Sequence, residues 1–370
     1  MINPETDARF MAAAIALGRR GLGLCAPNPA VGALIVKDGV ILARGWTKPG
    51  GRPHAETEAL GAAGARARGA TIYVTLEPCS HHGVTPPCTD AIIAAKIARV
   101  VYAISDPDPR VAGRGHKLLS DAGIEVTKGV LVEEARRANL GHILRVSHKR
   151  PLVALKLALT ADGYAAGPSH EPRLAITGPH ANGLVHIMRS MHDAIMVGGG
   201  TIAADDPLLN VRLPGLDARK PLRVALDSDL RLSVKSRLVA TAKSHPTLVI
   251  AGAGASEALA SRLRNEKVEV AYVRRDQARR VDLAAALEHL GGRGVTRAFS
   301  EGGPRIASGL IRQGLADEVI ILTAEKPFGR EGLAGLDPAA AAALGDPSRY
   351  VKVETRRIGD DRLTRYEKAP

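Results

Sequence analysis

Apolar residues near the start of the chain recur with a helical spacing: Phe10, Ala14 and Leu17 fall on one face of a helix over residues 7–17. The pattern then shortens. Apolar runs at 31–36 and 40–46 flank Lys37-Asp38-Gly39, a composition that turns a hairpin, so two antiparallel strands are expected. Beyond them the pattern predicts a helix over 55–64, a strand over 71–76, a helix over 89–95 and a strand over 99–104, then a helix over 113–122 and a strand over 124–128. Strands alternating with helices imply an α/β domain in which a sheet is covered on both faces.

A charged helix over 133–146 leads into Ser147-His148-Lys149-Arg150-Pro151, a polar, basic stretch ended by proline, and the domain boundary is placed there. The two domains are thus 1–147 and 148–370. Strand patterns recur in the second at 152–159, 193–197, 222–227, 247–251, 268–273, 296–300 and 318–323, with helical stretches at 179–191 and 283–290 and a brief alanine-rich helix at 339–344. No repeat of fixed period is visible.

A length of 370 residues suits two domains of ordinary size. No apolar run approaches the roughly 18 residues of a membrane span, and the N-terminal residues lack a basic start followed by a long apolar stretch, so the cytoplasm is the expected compartment. Cys25, Cys79 and Cys88 are the only cysteines, too few for a disulfide framework. The formal charge of +13 points to anionic partners, while aromatics at 3% are a poor supply for stacking bases. Small phosphorylated ligands are therefore favoured over nucleic acid.

Candidate chemistry concentrates in Pro53-His54-Ala55-Glu56 and in the stretch from Glu77-Pro78-Cys79 to Cys88. One imidazole and two thiolates form a three-ligand set for a catalytic zinc ion, with a fourth place left for water. In nucleobase deaminases an unligated Glu two residues after the His moves protons, and Glu56 stands there. His54 and Glu56 are expected in the first turn of one helix and the thiolates near the start of the next, where helix dipoles favour negative charge. A closed structural site with His81 or His82 as fourth ligand is the alternative, but it gives Glu56 no purpose. Cys25 lies far from the other two in sequence and is read as buried rather than ligating.

Together, Pro27-Asn28-Pro29-Ala30-Val31-Gly32, His54-Ala55-Glu56, the run from Thr75 through Cys79-Ser80-His81-His82-Gly83 to Cys88, and the stretch 106–115 resemble the bifunctional riboflavin-biosynthesis deaminase/reductase family. The eight residues between the cysteines are characteristic of it. Lys156 to Gly163, Ile176-Thr177-Gly178, Ala204-Asp205-Asp206-Pro207 and Glu301-Gly302-Gly303-Pro304 are similar to its reductase motifs, so the resemblance spans nearly the whole chain. It implies a cytidine-deaminase-like αβα layer domain followed by a dihydrofolate-reductase-like α/β domain. The implied reactions are hydrolytic deamination of a diaminopyrimidinone ribosylamine 5′-phosphate and then NADPH-dependent reduction of the ribosyl group of the resulting aminouracil to ribityl. A homo-oligomer is expected.

By the same resemblance Asn28 and His81 help to hold the deaminase substrate, although Asn between prolines is also a common turn residue. In the reductase, Lys156 and Asp205 are the candidates for chemistry, with an edge charge and a helix cap as their plainer readings. Arg173, Arg189, Leu209, Arg212 and Glu301 are implied on the substrate side, Arg189 and Arg212 at its phosphate. Ala158, Ala175, Thr201, Asp205, Ser228, Gly303, Pro304, Arg305, Ile306, Ala307, Ser308 and Gly309 are implied at the cofactor. Neither Gly198-Gly199-Gly200 nor Glu301-Gly302-Gly303-Pro304 is a GxGxxG turn, but a glycine turn opening a helix near Arg305 can present N–H groups to a phosphate. The chain departs from the family pattern at Thr47, where a His is frequent, at Val84, where a basic residue is common, at Arg173-Leu174-Ala175, where a Ser-x-Trp often stands, and at Asn182, often Arg.

Overall fold

The computed structural model describes residues 4–109, 111–168, 174–216 and 218–370. The chain falls into two compact units, Met1–Arg150 and Pro151–Pro370.

In the first, elements run α1 (Pro4–Gly18), β1 (Gly32–Lys37), β2 (Val40–Trp46), α2 (Ala55–Ala63), β3 (Thr71–Leu76), α3 (Cys88–Ala94), β4 (Arg99–Ile104), α4 (Arg114–Asp121), β5 (Glu125–Lys128) and α5 (Val132–His148). The strands form one sheet in the order β2-β1-β3-β4-β5, antiparallel as far as β3 and parallel from β3 to β5. Alternate strand residues enter opposite layers. Ala33, Ile35, Ile72, Val74 and Val100 pack with Ala55, Ala59, Ile92 and Leu119 of α2, α3 and α4. Leu34, Val36, Tyr73 and Val101 pack with Phe10, Met11 and Ala14 of α1 and Ala135 of α5. Helix α1 lies against the backbone of β1, since a Cβ on Gly32 would fall 2.0 Å from the Ala14 carbonyl oxygen.

An ion pair ties this second layer to the sheet. Buried Asp7 of α1 receives both terminal nitrogens of Arg99 on β4, at 2.9 and 2.7 Å, and the Tyr73 hydroxyl at 2.7 Å. Burial opposes ionisation of Asp7, but the hydrogen bonds from Arg99 and Tyr73 outweigh it and hold the carboxyl below its usual range.

The second unit continues with β6 (Leu152–Leu159), β7 (Tyr164–Ala166), α6 (Pro179–Ser190), β8 (Ala194–Gly198), α7 (Gly199–Asp205), β9 (Leu222–Leu226), α8 (Arg237–Ala240), β10 (Thr247–Gly252), α9 (Glu257–Asn265) and β11 (Glu269–Val273). It closes with α10 (Leu283–Gly292), β12 (Arg297–Ser300), α11 (Pro304–Arg312), β13 (Glu318–Thr323), β14 (Leu333–Ala334), α12 (Pro338–Gly345), β15 (Tyr350–Ile358) and β16 (Asp361–Lys368). Nine strands form one sheet in the order β11-β10-β9-β8-β12-β6-β13-β16-β15, parallel up to β13, with β16 and β15 antiparallel at the edge. One face is covered by α10, α11 and α12 and the other by α7, α8 and α9, an α/β layering with apolar strands buried from both sides.

The side chain of Arg223, on β9, is wholly buried. It donates to the carbonyls of Leu208, Leu238 and His245 and to the hydroxyls of Thr241 and Thr247, at 2.5 to 3.2 Å. Burial alone pushes the guanidinium down to about 10. Its work is to satisfy the backbone around α8.

All the strands expected from the pattern form. The hairpin β15–β16 and the pair β7–β14 were not foreseen: most β15 side chains are exposed, so charged residues interrupt the alternation that marks a half-buried strand. Gly199 and Gly200 belong to the first turn of α7 instead of an open glycine turn.

Candidate active sites

The first site lies where the parallel strands β3 and β4 end, the edge at which open α/β sheets place their ligands. His54 sits at the N-cap of α2 and Cys88 is the first residue of α3. Cys79 is in the loop after β3, nine residues before α3 in sequence, yet the Cys88 N–H donates to its sulfur at 3.3 Å. Both thiols therefore meet the N-terminus of α3, although only Cys88 belongs to the helix. His54 Nδ1 is 3.6 Å from Cys79 Sγ and 3.4 Å from Cys88 Sγ, and the three ligand atoms lie within 4.8 Å of one another.

This donor set fits zinc, with two sulfurs and one nitrogen converging on one point. Hydrogen bonding to Cys88 pulls the Cys79 thiol down to about 4, whereas Cys88, hydrogen-bonded to Cys79 and buried, is pushed up. Two such thiols do not both lose protons without a counter-charge, which a divalent cation supplies. Among the described residues neither His81 nor His82 joins the cluster, so the closed four-ligand alternative finds no support. His82 is exposed, 4.0 Å from Asp90. Cys25 is buried and stays outside the cluster.

Glu56, in the first turn of α2, is buried, and burial followed by the Cys79 thiolate pushes its carboxyl up to about 7. Asn28 donates to the Gly51 carbonyl at 2.8 Å, and its amide nitrogen is 3.4 Å from His54 Nε2. Gly51 has φ +84°, and a Cβ there would lie 2.7 Å from the Asn28 amide carbon, so only glycine fits beside that side chain. His81 is half-buried, and its Nδ1 and the neighbouring Ser80 hydroxyl are buried without a hydrogen-bond partner.

Residues outside the ligand set also shape this site; Glu77 and Asp106 lie in the motif stretches, whereas His142 and Arg145 gave no motif signal. The buried Glu77 carboxylate accepts the N–H groups of Gly113 and His116 at 3.1 and 3.2 Å, capping α4 and fixing the loop that carries Cys79. Asp106 is paired with His142 of α5 at 3.1 Å, and Arg145, one turn further on, donates to the Pro27 carbonyl at 3.2 Å beside Asn28. Thr47 is buried and accepts the Val31 N–H at 3.0 Å, a structural use of the position.

In the second unit the candidates gather where β6, β8, β9 and β12 end. Lys156 on β6 pairs across the sheet with Ile320, and its charge reaches Glu301, which follows β12 and donates its N–H to the Met196 carbonyl. Glu301 receives Arg189 Nε and Nη2 at 2.5 and 3.0 Å. Burial resists ionisation of Glu301, and Arg189, with Lys156 and His186 behind it, overcomes this and lowers the carboxyl. The remaining Arg189 nitrogen donates to the Asn210 carbonyl at 3.0 Å, so three of the five guanidinium N–H groups are held by protein acceptors. Arg212 is exposed, with Nη1 on Asn210 Oδ1 at 2.6 Å and its N–H on His186 Nδ1 at 3.2 Å. His186 and Asn210 escaped the sequence reading; the only available signal was that His186 precedes Arg189 by one helical turn on α6.

Thr201 in α7 accepts the Gly303 N–H at 3.2 Å, joining the loop before α11 to the end of β8, and Asp205 is the last residue of α7. Gly303, Pro304, exposed Arg305 and Ile306 form the open end of α11. Ala307, Ser308 and Gly309 do not line it. Ala307 is in the core, Ser308 accepts the Asp337 N–H, and a Cβ on Gly309 would strike Leu283. Leu209 is buried with φ +49°, Ser228 is held through Val281 and Gly252, Ala158 is half-buried on β6, and Ala175 is exposed ahead of α6. Asn182 bonds back to Thr177 at the start of α6. Arg173 lies outside the described residues.

Comparison with known proteins accounts for both units. The family described as the cytidine and deoxycytidylate deaminase zinc-binding region matches residues 4–104, and the RibD C-terminal domain matches residues 151–359. The riboflavin biosynthesis protein RibD of Escherichia coli is 38% identical over 366 residues, covering 96% of this chain and 97% of the relative. The Acinetobacter baumannii RibD structure is 32% identical with a TM-score of 0.87, each chain covered in full. A diaminohydroxyphosphoribosylaminopyrimidine deaminase/5-amino-6-(5-phosphoribosylamino)uracil reductase from Thermotoga maritima is 34% identical with a TM-score of 0.84, with 99% of each chain covered. With a zinc-type His/Cys/Cys deaminase site in the first unit and a reductase unit in the second, the chain belongs to the RibD family of bifunctional riboflavin biosynthesis proteins.

Proposed function

We propose that this chain deaminates 2,5-diamino-6-(5-phosphoribosylamino)pyrimidin-4-one in its first unit and reduces the ribosyl group of the aminouracil product to ribityl in its second. The observation that carries the reading is the convergence of His54, Cys79 and Cys88 beside the buried Glu56, which stands outside that donor set.

His54, Cys79 and Cys88 would hold zinc, which would supply a Lewis acid for hydrolytic attack near neutral pH. Glu56, its carboxyl pushed to about 7, takes a proton from the attacking water and delivers it to the departing amino nitrogen. Asn28, held by Gly51, and His81, with its unpartnered Nδ1, hydrogen-bond the pyrimidine and its ribosylamine. In the second unit NADPH supplies the hydride. Arg305 at the open end of α11 receives the cofactor phosphates, Gly303, held by Thr201, with Pro304 and Ile306 shapes the turn that presents it, and Ala158, Ala175 and Ser228 border the remainder of the cofactor. Lys156 and Asp205 hold and move the proton at the reacting ribose, Glu301 lies within electrostatic reach of Lys156, and Arg189 and Arg212 take the substrate phosphate. No helix among the described residues is long and apolar enough to cross a membrane, and thiol ligands kept unpaired suit the reducing cytoplasm.

Incubating the zinc-loaded chain with the diaminopyrimidine phosphate in ¹⁸O-labelled water tests the first half. The reading expects ammonia and an aminouracil carrying one labelled oxygen. Unchanged substrate after stoichiometric zinc loading would overturn it.

A further inference from the structure

The rim of the zinc pocket contains a cation with no carboxylate partner. The insert from Ser80 to Pro87 has no Lys or Arg, and its tip residue Val84 is 85% exposed. Arg52, two residues before His54, reaches across to it: Nη1 donates to the Thr85 hydroxyl at 2.5 Å, and a Cβ on Gly83 would lie 3.5 Å from Nη2. Among the described residues no carboxylate lies within ion-pair distance of Arg52, although Lys48 nearby is paired with Glu58 at 3.0 Å. Deeper in the same insert the Ser80 hydroxyl and His81 Nδ1 are buried and unpartnered.

We infer that Arg52, with Thr85, binds the 5′-phosphate of the deaminase substrate and so supplies from the loop before α2 the positive charge that the insert itself does not carry. This rests on the substrate reading given above. The substrate's connectivity sets the order of contacts: the amino-bearing ring must reach Glu56 and the metal ligands, and the phosphate lies at the opposite end, beyond the ribose, toward the rim. A guanidinium offers parallel N–H groups to phosphate oxygens, and one such charged contact is worth about a factor of ten or more in affinity.

The test compares zinc-loaded wild type with Arg52→Gln. Ammonia release from the phosphorylated substrate should show KM raised about tenfold with kcat within about a factor of two, and the defect should be confined to the phosphorylated form, not its dephosphorylated counterpart. Adding Val84→Arg to Arg52→Gln should restore most of the lost KM, which a merely structural role of Arg52 does not predict. Calorimetric binding of ribose 5-phosphate gives a readout free of turnover: affinity at the first unit should fall about tenfold in Arg52→Gln. A phosphate site in the second unit is common to both proteins and cancels in the comparison. Equal ribose 5-phosphate binding, or an equal loss with phosphorylated and dephosphorylated substrates, overturns the assignment. If wild type releases no ammonia yet its ribose 5-phosphate binding depends on Arg52, the substrate reading fails and the phosphate site stands.

Discussion

Glu56 is buried and lies outside the His54, Cys79 and Cys88 cluster, and its proposed role is to move a proton. Replacing it with Gln keeps the shape and leaves His54, Cys79 and Cys88 in place. Zinc content should stay at about one per chain while ammonia release falls by at least about a hundredfold; normal turnover in Glu56→Gln would remove it from the mechanism. These four residues were readable from sequence because each is a chemically unusual residue at a fixed spacing. Asp7 shows the opposite case. Nothing in its neighbourhood along the chain announces that it meets Arg99 and Tyr73, far away in sequence, and only the packing of α1 on the paired strands β3 and β4 brings them together. Its pKa is lowered by folding, so the unfolded chain binds more protons and stability rises with pH through this range. Asp7→Asn should cost roughly 2–4 kcal/mol at neutral pH in urea unfolding. That difference should be full above the unfolded carboxyl value of about 3.9 and vanish as pH falls through the depressed folded value. A constant difference down to low pH would show that the cost is packing and not charge.

At the scale of elements, the zinc site depends on how its loop is pinned. Glu77 caps α4 and thereby fixes the Pro78-Cys79 turn; the same packing leaves no room for a side chain at Gly115, whose Cβ would lie 2.2 Å from the Pro78 carbonyl oxygen. Glu77→Ala should weaken zinc about tenfold or more in chelator competition, with Glu77→Gln milder because it keeps an acceptor. Unchanged zinc affinity in Glu77→Ala would mean the loop holds itself. Sequence reasoning places the strands well because buried parallel strands are continuous apolar runs, and it places the zinc helices because glycine and proline punctuate them. It does not see β15 and β16, where charged residues mask the period, and it cannot tell that residues 307–309 turn into the core while Gly303 to Ile306 stay at the open helix end. A linear motif records which residues recur, but the direction of a helical face is set by what packs against it.

For the whole molecule, the division into Met1–Arg150 and Pro151–Pro370 places every zinc ligand in one unit and the Lys156, Glu301 and α11 cluster in the other. The chemistries should therefore separate: Glu56→Gln should still oxidise NADPH when given the aminouracil intermediate, and Asp205→Asn should release ammonia normally while NADPH oxidation drops. An equal loss of both activities in Asp205→Asn would point to a shared folding defect. If one chain runs both steps in order, a single time course will show it. Zinc-loaded protein is mixed with the diaminopyrimidine phosphate and NADPH, and ammonia and NADPH are followed in the same sample. Ammonia should appear first and NADPH oxidation should follow to an equal final amount; NADPH consumed ahead of ammonia, or without it, would rule out the coupled sequence of deamination and reduction.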